Sequence, residues 1–136
     1  MGSGAAGMTA AFTAAANGAE VLLVEESDMV GGTTAWSGGH VWIPCNPHQK
    51  AIGVVDPPEQ GLRYIMSLSR GLIDENLIRS YIANGSEAVS YLDEQAGTVF
   101  YAVRDFADYH PGHPGGLPGG GRTIECSPFS FLELGP

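Results

Sequence analysis

Apolar positions along this chain change their spacing several times, and each spacing predicts a different element. From Met8 to Asn17 the run MTAAFTAAAN is dense in helix formers whose side chains are small enough to lie flat on a sheet, and Gly18 supplies a C-terminal stop. Glu20-Val21-Leu22-Leu23-Val24-Glu25 is short and continuously apolar between two acids, the pattern of a buried parallel strand. Helical spacing takes over later. Asp56-Pro57-Pro58-Glu59 reads as a helix start with Asp56 as N-cap, and Leu62, Ile65, Met66 and Ser69 then share a face. A second start at Asp74-Glu75-Asn76 leads into Leu77, Ile78, Tyr81 and Ile82. Asn84-Gly85-Ser86 breaks that helix, and a further one runs from Ser86 to Ala96 with Ala88, Val89 and Leu92 inward, before Gly97 ends it. These helices read as a packing layer, the alternative being a partner-binding role. Thr98 to Val103 reads as a strand in which Phe100 and Tyr101 are half-buried.

The first helix is preceded by Gly2-Ser3-Gly4-Ala5-Ala6-Gly7, a G-x-G-x-x-G motif. In a dinucleotide site the first glycine allows the tight turn from strand to helix, the second admits a pyrophosphate to the backbone, and the third lets helix and sheet pack closely. The unpaired N–H groups and dipole of the helix N-terminus then hold the phosphates. Glu25 lies 18 positions after Gly7, near the separation of roughly 20 residues expected for an acid that accepts hydrogen bonds from an adenosine ribose. Glycine turn, small-residue helix, apolar strand and terminal acid form one coherent set. The competing reading is an ordinary αβ unit whose Glu25 is a solvated strand end. The acid does not separate NAD from FAD.

A second glycine-rich stretch bears on that choice: Gly31-Gly32-Thr33-Thr34-Ala35-Trp36-Ser37-Gly38-Gly39, followed by His40-Val41-Trp42-Ile43-Pro44. Taken alone it is either a flexible loop or a segment whose glycines admit a flat ring while hydroxyls and N–H groups serve its polar edge. Here the sequence resembles the FAD-dependent oxidoreductases of the fumarate reductase and succinate dehydrogenase flavoprotein superfamily, and within it the 3-ketosteroid delta-1-dehydrogenases. The resemblance runs from Gly2 to about Gly135 and covers the first quarter of such an enzyme. It implies that Gly32, Thr33, Thr34, Ser37, Gly38 and Gly39 contact the flavin. It also implies a non-covalent cofactor, because the histidine that bonds covalently to the flavin in succinate dehydrogenases falls at Gly32 here. His40 lies beyond the double glycine and reads as a loop residue or one behind the site.

The resemblance extends to Asp105-Phe106-Ala107-Asp108-Tyr109-His110-Pro111 and the Pro/Gly-rich run that ends in Gly121-Arg122-Thr123-Ile124-Glu125. Steroid delta-1-dehydrogenases have a similar D-Y-x-P element, a Pro/Gly-rich stretch and G-R-[ST]-x-E, and a tyrosine near that element is one of their active-site tyrosines. Tyr109 is therefore the catalytic candidate. Removing hydrogens from adjacent carbons beside a ketone needs one group to take a proton while the flavin takes a hydride. Tyrosine, with a free pKa of about 10, does this only with help from its surroundings. The resemblance gives Tyr109 an assisting role to a second tyrosine and places that base, with the groups that polarise the ketone, much later in the family sequence. Alternatively Tyr109 is a turn residue before His-Pro. Arg122 either orients an anionic group or pairs with a carboxylate. The segment from Gly112 to Gly121 reads as a mobile loop with too little apolar content to pack.

Composition narrows the classes. At 43% hydrophobic and 15% charged, the chain is neither disordered in character nor membrane-spanning. Its apolar runs are far shorter than the ~20 residues that cross a bilayer. A net charge of −9 with six basic residues speaks against nucleic acid or anionic membranes as partners. Cys45 and Cys126 show no ligand or redox spacing, so no metal is expected and the thiols fit a reduced, cytoplasmic protein. His110 and His113 lack a third ligand at suitable spacing and read as loop histidines.

The expected fold class is α/β: a partial doubly wound, Rossmann-like FAD-binding domain lacking its first strand, followed by a mainly helical region. The expected division is residues 1–50 for the partial FAD-binding domain, 51–97 for the helical region and 98–136 for the start of a substrate-binding region. The expected function is the N-terminal FAD-binding portion of an oxidoreductase that dehydrogenates CH–CH bonds beside a ketone. Its partners would be a small hydrophobic substrate of the steroid class and an external electron acceptor. Two alternatives remain: a fumarate reductase-like enzyme acting on a dicarboxylate, against which the Trp-Ile-Pro and Asp-Tyr-His-Pro elements count, and an inactive truncated remnant.

Overall fold

Helix α1 (Ala5–Ala16) forms where small residues promise it. Its end is the expected one: the Asn17 side chain donates to the Thr13 carbonyl at 2.8 Å, and Gly18 turns into the left-handed region at φ +86°. The computed structural model describes residues 2–134 and divides into two compact units, residues 1–40 and 41–136. In the first unit, α1 is followed by an extended stretch and the short helix α2 (Gly32–Trp36), entered through Gly31 at φ +111°.

The stretch from Glu20 to Glu25 is not the buried strand its pattern predicts. It pairs into no ladder among the described residues, all of its apolar side chains are exposed, and Leu22 retains 87% of its accessible surface. An apolar run becomes a parallel strand only when neighbouring strands take up its N–H and C=O groups. Among the described residues, the backbone contact to it is Gly2 N–H donating to the Val24 carbonyl at 2.7 Å.

The second unit carries a three-stranded antiparallel sheet in the order β1–β3–β2, made of β1 (Val41–Trp42), β2 (Phe100–Arg104) and β3 (Gly120–Cys126). Val41 pairs with Ile124 and Trp42 with Thr123; Phe100, Tyr101 and Ala102 pair with Cys126, Glu125 and Ile124. The register shifts between Ala102 and Arg104. β2 starts and ends slightly later than its pattern suggests, with Phe100 buried and Tyr101 exposed. The central strand β3 is a correction to the reading of the Gly/Pro run as unpacked throughout. Its last glycines turn the chain at positive φ into Arg122-Thr123-Ile124, all buried.

Two helices, α3 (Pro58–Leu68) and α4 (Glu75–Gln95), pack on each other, and α4 sets Val89 against the sheet. Asp74 caps α4, its carboxylate accepting from Asn76 N–H at 2.9 Å. Asp56 does not cap α3: Pro57 occupies that position without a side-chain bond, and the Asp56 carboxylate turns into the interior instead. The break expected at Asn84-Gly85-Ser86 is absent, and α4 continues through it. Glycine in a helix costs about 1 kcal/mol relative to alanine, but a Cβ on Gly85 would stand 3.0 Å from Ile43 Cγ2, so its bareness lets helix and sheet approach. The core is Ile43, Val89, Phe100, Ala102 and Ile124, with a second cluster of Leu62, Ile78 and Ile82 between the helices. Ala88, expected inward, is exposed, as is Leu77 of the helically spaced set, because the buried stripe of α4 follows Ile78, Ile82, Gly85 and Val89.

Candidate functional site

Ser3 ties the glycine fingerprint together. It is 1% exposed, its N–H and hydroxyl both donate to Glu25 Oε2, at 2.6 and 2.5 Å, and its Oγ accepts from Gly31 N–H at 2.8 Å. Three stretches far apart in sequence thus meet on one side chain. The other oxygen of Glu25, Oε1, accepts from the amides of Glu26 at 2.9 Å and Ser27 at 3.0 Å. These donors stabilise the ionised form, the Ser3 hydroxyl foremost, and lower the Glu25 pKa from 4.5 to about 2. Gly2 makes the turn at φ +86°. Thr34 Oγ1 accepts from the Ala5 amide at 3.1 Å, and a Cβ on Gly32 would lie 3.3 Å from the Gly4 backbone. The second glycine stretch is therefore laid against the first at a separation that a larger residue would disturb.

Ala6 and Gly7 sit in the first turn of α1, where their amides precede any helix carbonyl that could accept them. Thr33 is exposed in α2. Ser37 follows α2, donating to the Thr34 carbonyl at 2.8 Å and accepting from Gly39 N–H at 3.0 Å. Gly38 lies beside the His40 ring. A cleft of about 290 Å³ adjoins this assembly, lined by Ser27, Met29, Val30, Gly32, Ala35 and Trp36. The donor set suits FAD: helix-terminal amides for a diphosphate, an ionised carboxylate for ribose hydroxyls, and glycines with hydroxyls beside a mainly apolar cleft for a ring.

In the second unit Tyr109 stands on the loop between β2 and β3 and is 89% exposed. Beneath that loop lies a buried ionic cluster that the sequence did not disclose. Arg122 is 0% exposed and donates from Nε and Nη2 to Asp56 at 2.8 and 2.7 Å, from Nη1 to Asp108 Oδ2 at 2.7 Å, and from Nη2 to the Gly115 carbonyl at 2.9 Å. Its guanidinium carbon is 5.5 Å from the centre of the Trp42 ring and 5.4 Å from that of Tyr64. Asp108 also accepts from Trp42 Nε1 and from Leu117 N–H, both at 2.8 Å. Burial alone would raise the pKa of Asp56 and lower that of Arg122; their mutual hydrogen bonds outweigh it and hold both charged.

Arg122 thus pairs with carboxylates, one of the two roles open to it. The available signal was alternation: once 120–126 is read as a strand, Arg122 shares a face with Ile124 and must point inward. The Pro/Gly segment is packed at Gly115, where a Cβ would fall 2.3 Å from the Gln60 carbonyl, while Gly112 and Gly119 are exposed with open space beside them. His110 and His113 rings lie 5.5 Å apart. Among the described residues no three His, Cys, Asp or Glu side chains gather as a metal site, and no helix is long and apolar enough to cross a membrane.

The family described as FAD binding domain matches residues 1–129. A 3-oxosteroid 1-dehydrogenase of Mycolicibacterium smegmatis is 40% identical over the whole chain, which covers 24% of that protein. A 4-oxocyclohexanecarboxylate 2-dehydrogenase of Sinomonas cyclohexanicum is 38% identical over 98% of the chain and 23% of its own length. Among solved structures, the 3-ketosteroid delta1-dehydrogenase from Sterolibacterium denitrificans, in complex with 1,4-androstadiene-3,17-dione, superposes with a TM-score of 0.85 at 37% identity. That match covers 98% of this chain and 23% of the other. The chain spans about a quarter of the length of the relatives it matches.

Proposed function

The chain belongs to the FAD binding domain family, and from that premise we propose that residues 2–39 hold FAD non-covalently for the dehydrogenation of a CH–CH bond beside a cyclic ketone. The observation that carries this reading is the Ser3 junction, which joins the fingerprint, Glu25 and the second glycine stretch. The amides of Ala6 and Gly7 would hold the diphosphate and Glu25 the ribose. Gly32, Thr33, Thr34, Ser37, Gly38 and Gly39 would border the ring. Gly32 offers no side chain for a covalent flavin link.

Bound FAD supplies the hydride acceptor, reoxidised by an external electron acceptor. The chain's own contribution on the substrate side is Tyr109, whose phenol oxygen would take part in moving the proton lost from the neighbouring carbon. The steroid class is supported by the 3-oxosteroid dehydrogenases among the relatives. The 38% identity to a 4-oxocyclohexanecarboxylate dehydrogenase favours, as a second reading, a smaller ring ketone desaturated in the same way. A longer protein containing this chain, assayed with an artificial electron acceptor, should desaturate a 3-ketosteroid, with the cyclohexanone acid as the competing substrate. Turnover of fumarate or succinate in place of both ketones would overturn the reading. The 136-residue chain alone is expected to bind flavin without turnover.

A further inference from the structure

We infer that Arg122, Asp108 and Tyr64 are positioning residues for Tyr109: they clamp the loop on both sides of it and leave its side chain free. This rests on the reading that Tyr109 meets the substrate. On one side, Asp108 is buried, bonded through its carboxylate to Arg122, Trp42 and Leu117 N–H, and through its own amide to the Leu117 carbonyl at 3.1 Å. On the other, His110 N–H donates to the phenol oxygen of Tyr64 at 3.1 Å. Tyr109 lies between these two fixed points and is itself 89% exposed. Farther along the loop, Gly115 is held by Arg122 and pressed on α3 at φ +83°.

A buried ion cluster is a poor choice if stability is all that is required. Apolar residues of similar volume often do as well or better, because the desolvation of each charge offsets its attraction. Here one guanidinium faces two carboxylates, and the surplus negative charge is met by Trp42 Nε1, the Gln49 side chain, Cys45 N–H and Leu117 N–H. Among the described residues no buried side-chain polar atom lacks a partner. What such a network adds over an apolar plug is direction. Arg122 comes from β3, Asp56 from the segment entering α3, Tyr64 from α3 and Trp42 from β1, so four parts of the unit converge on one loop conformation. An exposed aromatic that must meet a ligand in one orientation gains from a loop ordered in advance.

Tyr64→Phe tests this with little risk to folding, since the ring stays over Arg122 and only the oxygen that accepts from His110 is removed. In the 136-residue chain, amide exchange at His110 should accelerate by up to about tenfold, the range of one neutral hydrogen bond. Exchange in α4 should stay unchanged. In the longer flavin-loaded protein, kcat per bound flavin should fall with KM unchanged. Unchanged exchange at His110 would overturn the clamp, and faster exchange with undiminished kcat would overturn its positioning role. Arg122→Lys, which keeps a charge but cannot bridge both carboxylates and Gly115, should loosen Asp108 and Leu117 in the same way. Tyr109→Phe with full turnover would instead overturn the premise that Tyr109 meets substrate, and it leaves the exchange result standing as a separate observation.

Discussion

Glu25 accepts four hydrogen bonds, and its acidity follows from them. Its folded pKa of about 2 lies below the ordinary 4.5, so the stabilisation from these contacts is complete above pH 4.5 and disappears as the pH falls through about 2. A carboxylate titration followed by NMR should place its midpoint near 2, and Ser3→Ala should move it up toward 4.5; an unmoved midpoint would mean that the Ser3 hydroxyl contributes nothing. Gly115 makes the opposite kind of demand. Alanine there would meet both a positive φ and the Gln60 carbonyl, and should cost about 2 to 4 kcal/mol in urea unfolding. The fingerprint was legible because turn, helix start and acid spacing are local properties of the chain. The Arg122 cluster was not, since Asp56 and Arg122 stand 66 positions apart and only the packed sheet brings them together.

At the scale of elements, patterning named helices better than strands. The helix α4 was expected in two pieces because Asn-Gly-Ser is a strong local stop, yet burial of Ile78, Ile82 and Val89 on one stripe carries the helix through. Gly85→Val should therefore destabilise by about 1 to 3 kcal/mol, since the branched side chain would be driven into Ile43, as thermal unfolding would show. Residues 20–25 illustrate the converse. Their apolar run satisfies the strand pattern, but pattern alone supplies no ladder partner. Amides of Val21, Leu22 and Leu23 should exchange at nearly unprotected rates in this chain, and strong protection there would contradict an exposed segment whose backbone contact is at the Val24 carbonyl.

At the scale of the whole molecule, two units divide the proposed labour: residues 1–40 carry the flavin-binding groups, and residues 41–136 carry Tyr109 on its clamped loop. The sheet around the loop is antiparallel and joins β1 to β3 from distant parts of the chain, Val41 pairing with Ile124, so it had no local signature as clear as the glycine motifs. The net charge of −9 gives no attraction for phosphate, which puts the burden of holding FAD on placed amides instead of a basic patch. The most direct test is a titration of the purified chain with FAD, followed by flavin absorbance and then by denaturation. Stoichiometric binding that is lost in Glu25→Ala, with all flavin released on unfolding, is the expected result. Failure to bind at saturating FAD, or flavin that stays attached to the denatured chain, would contradict the account.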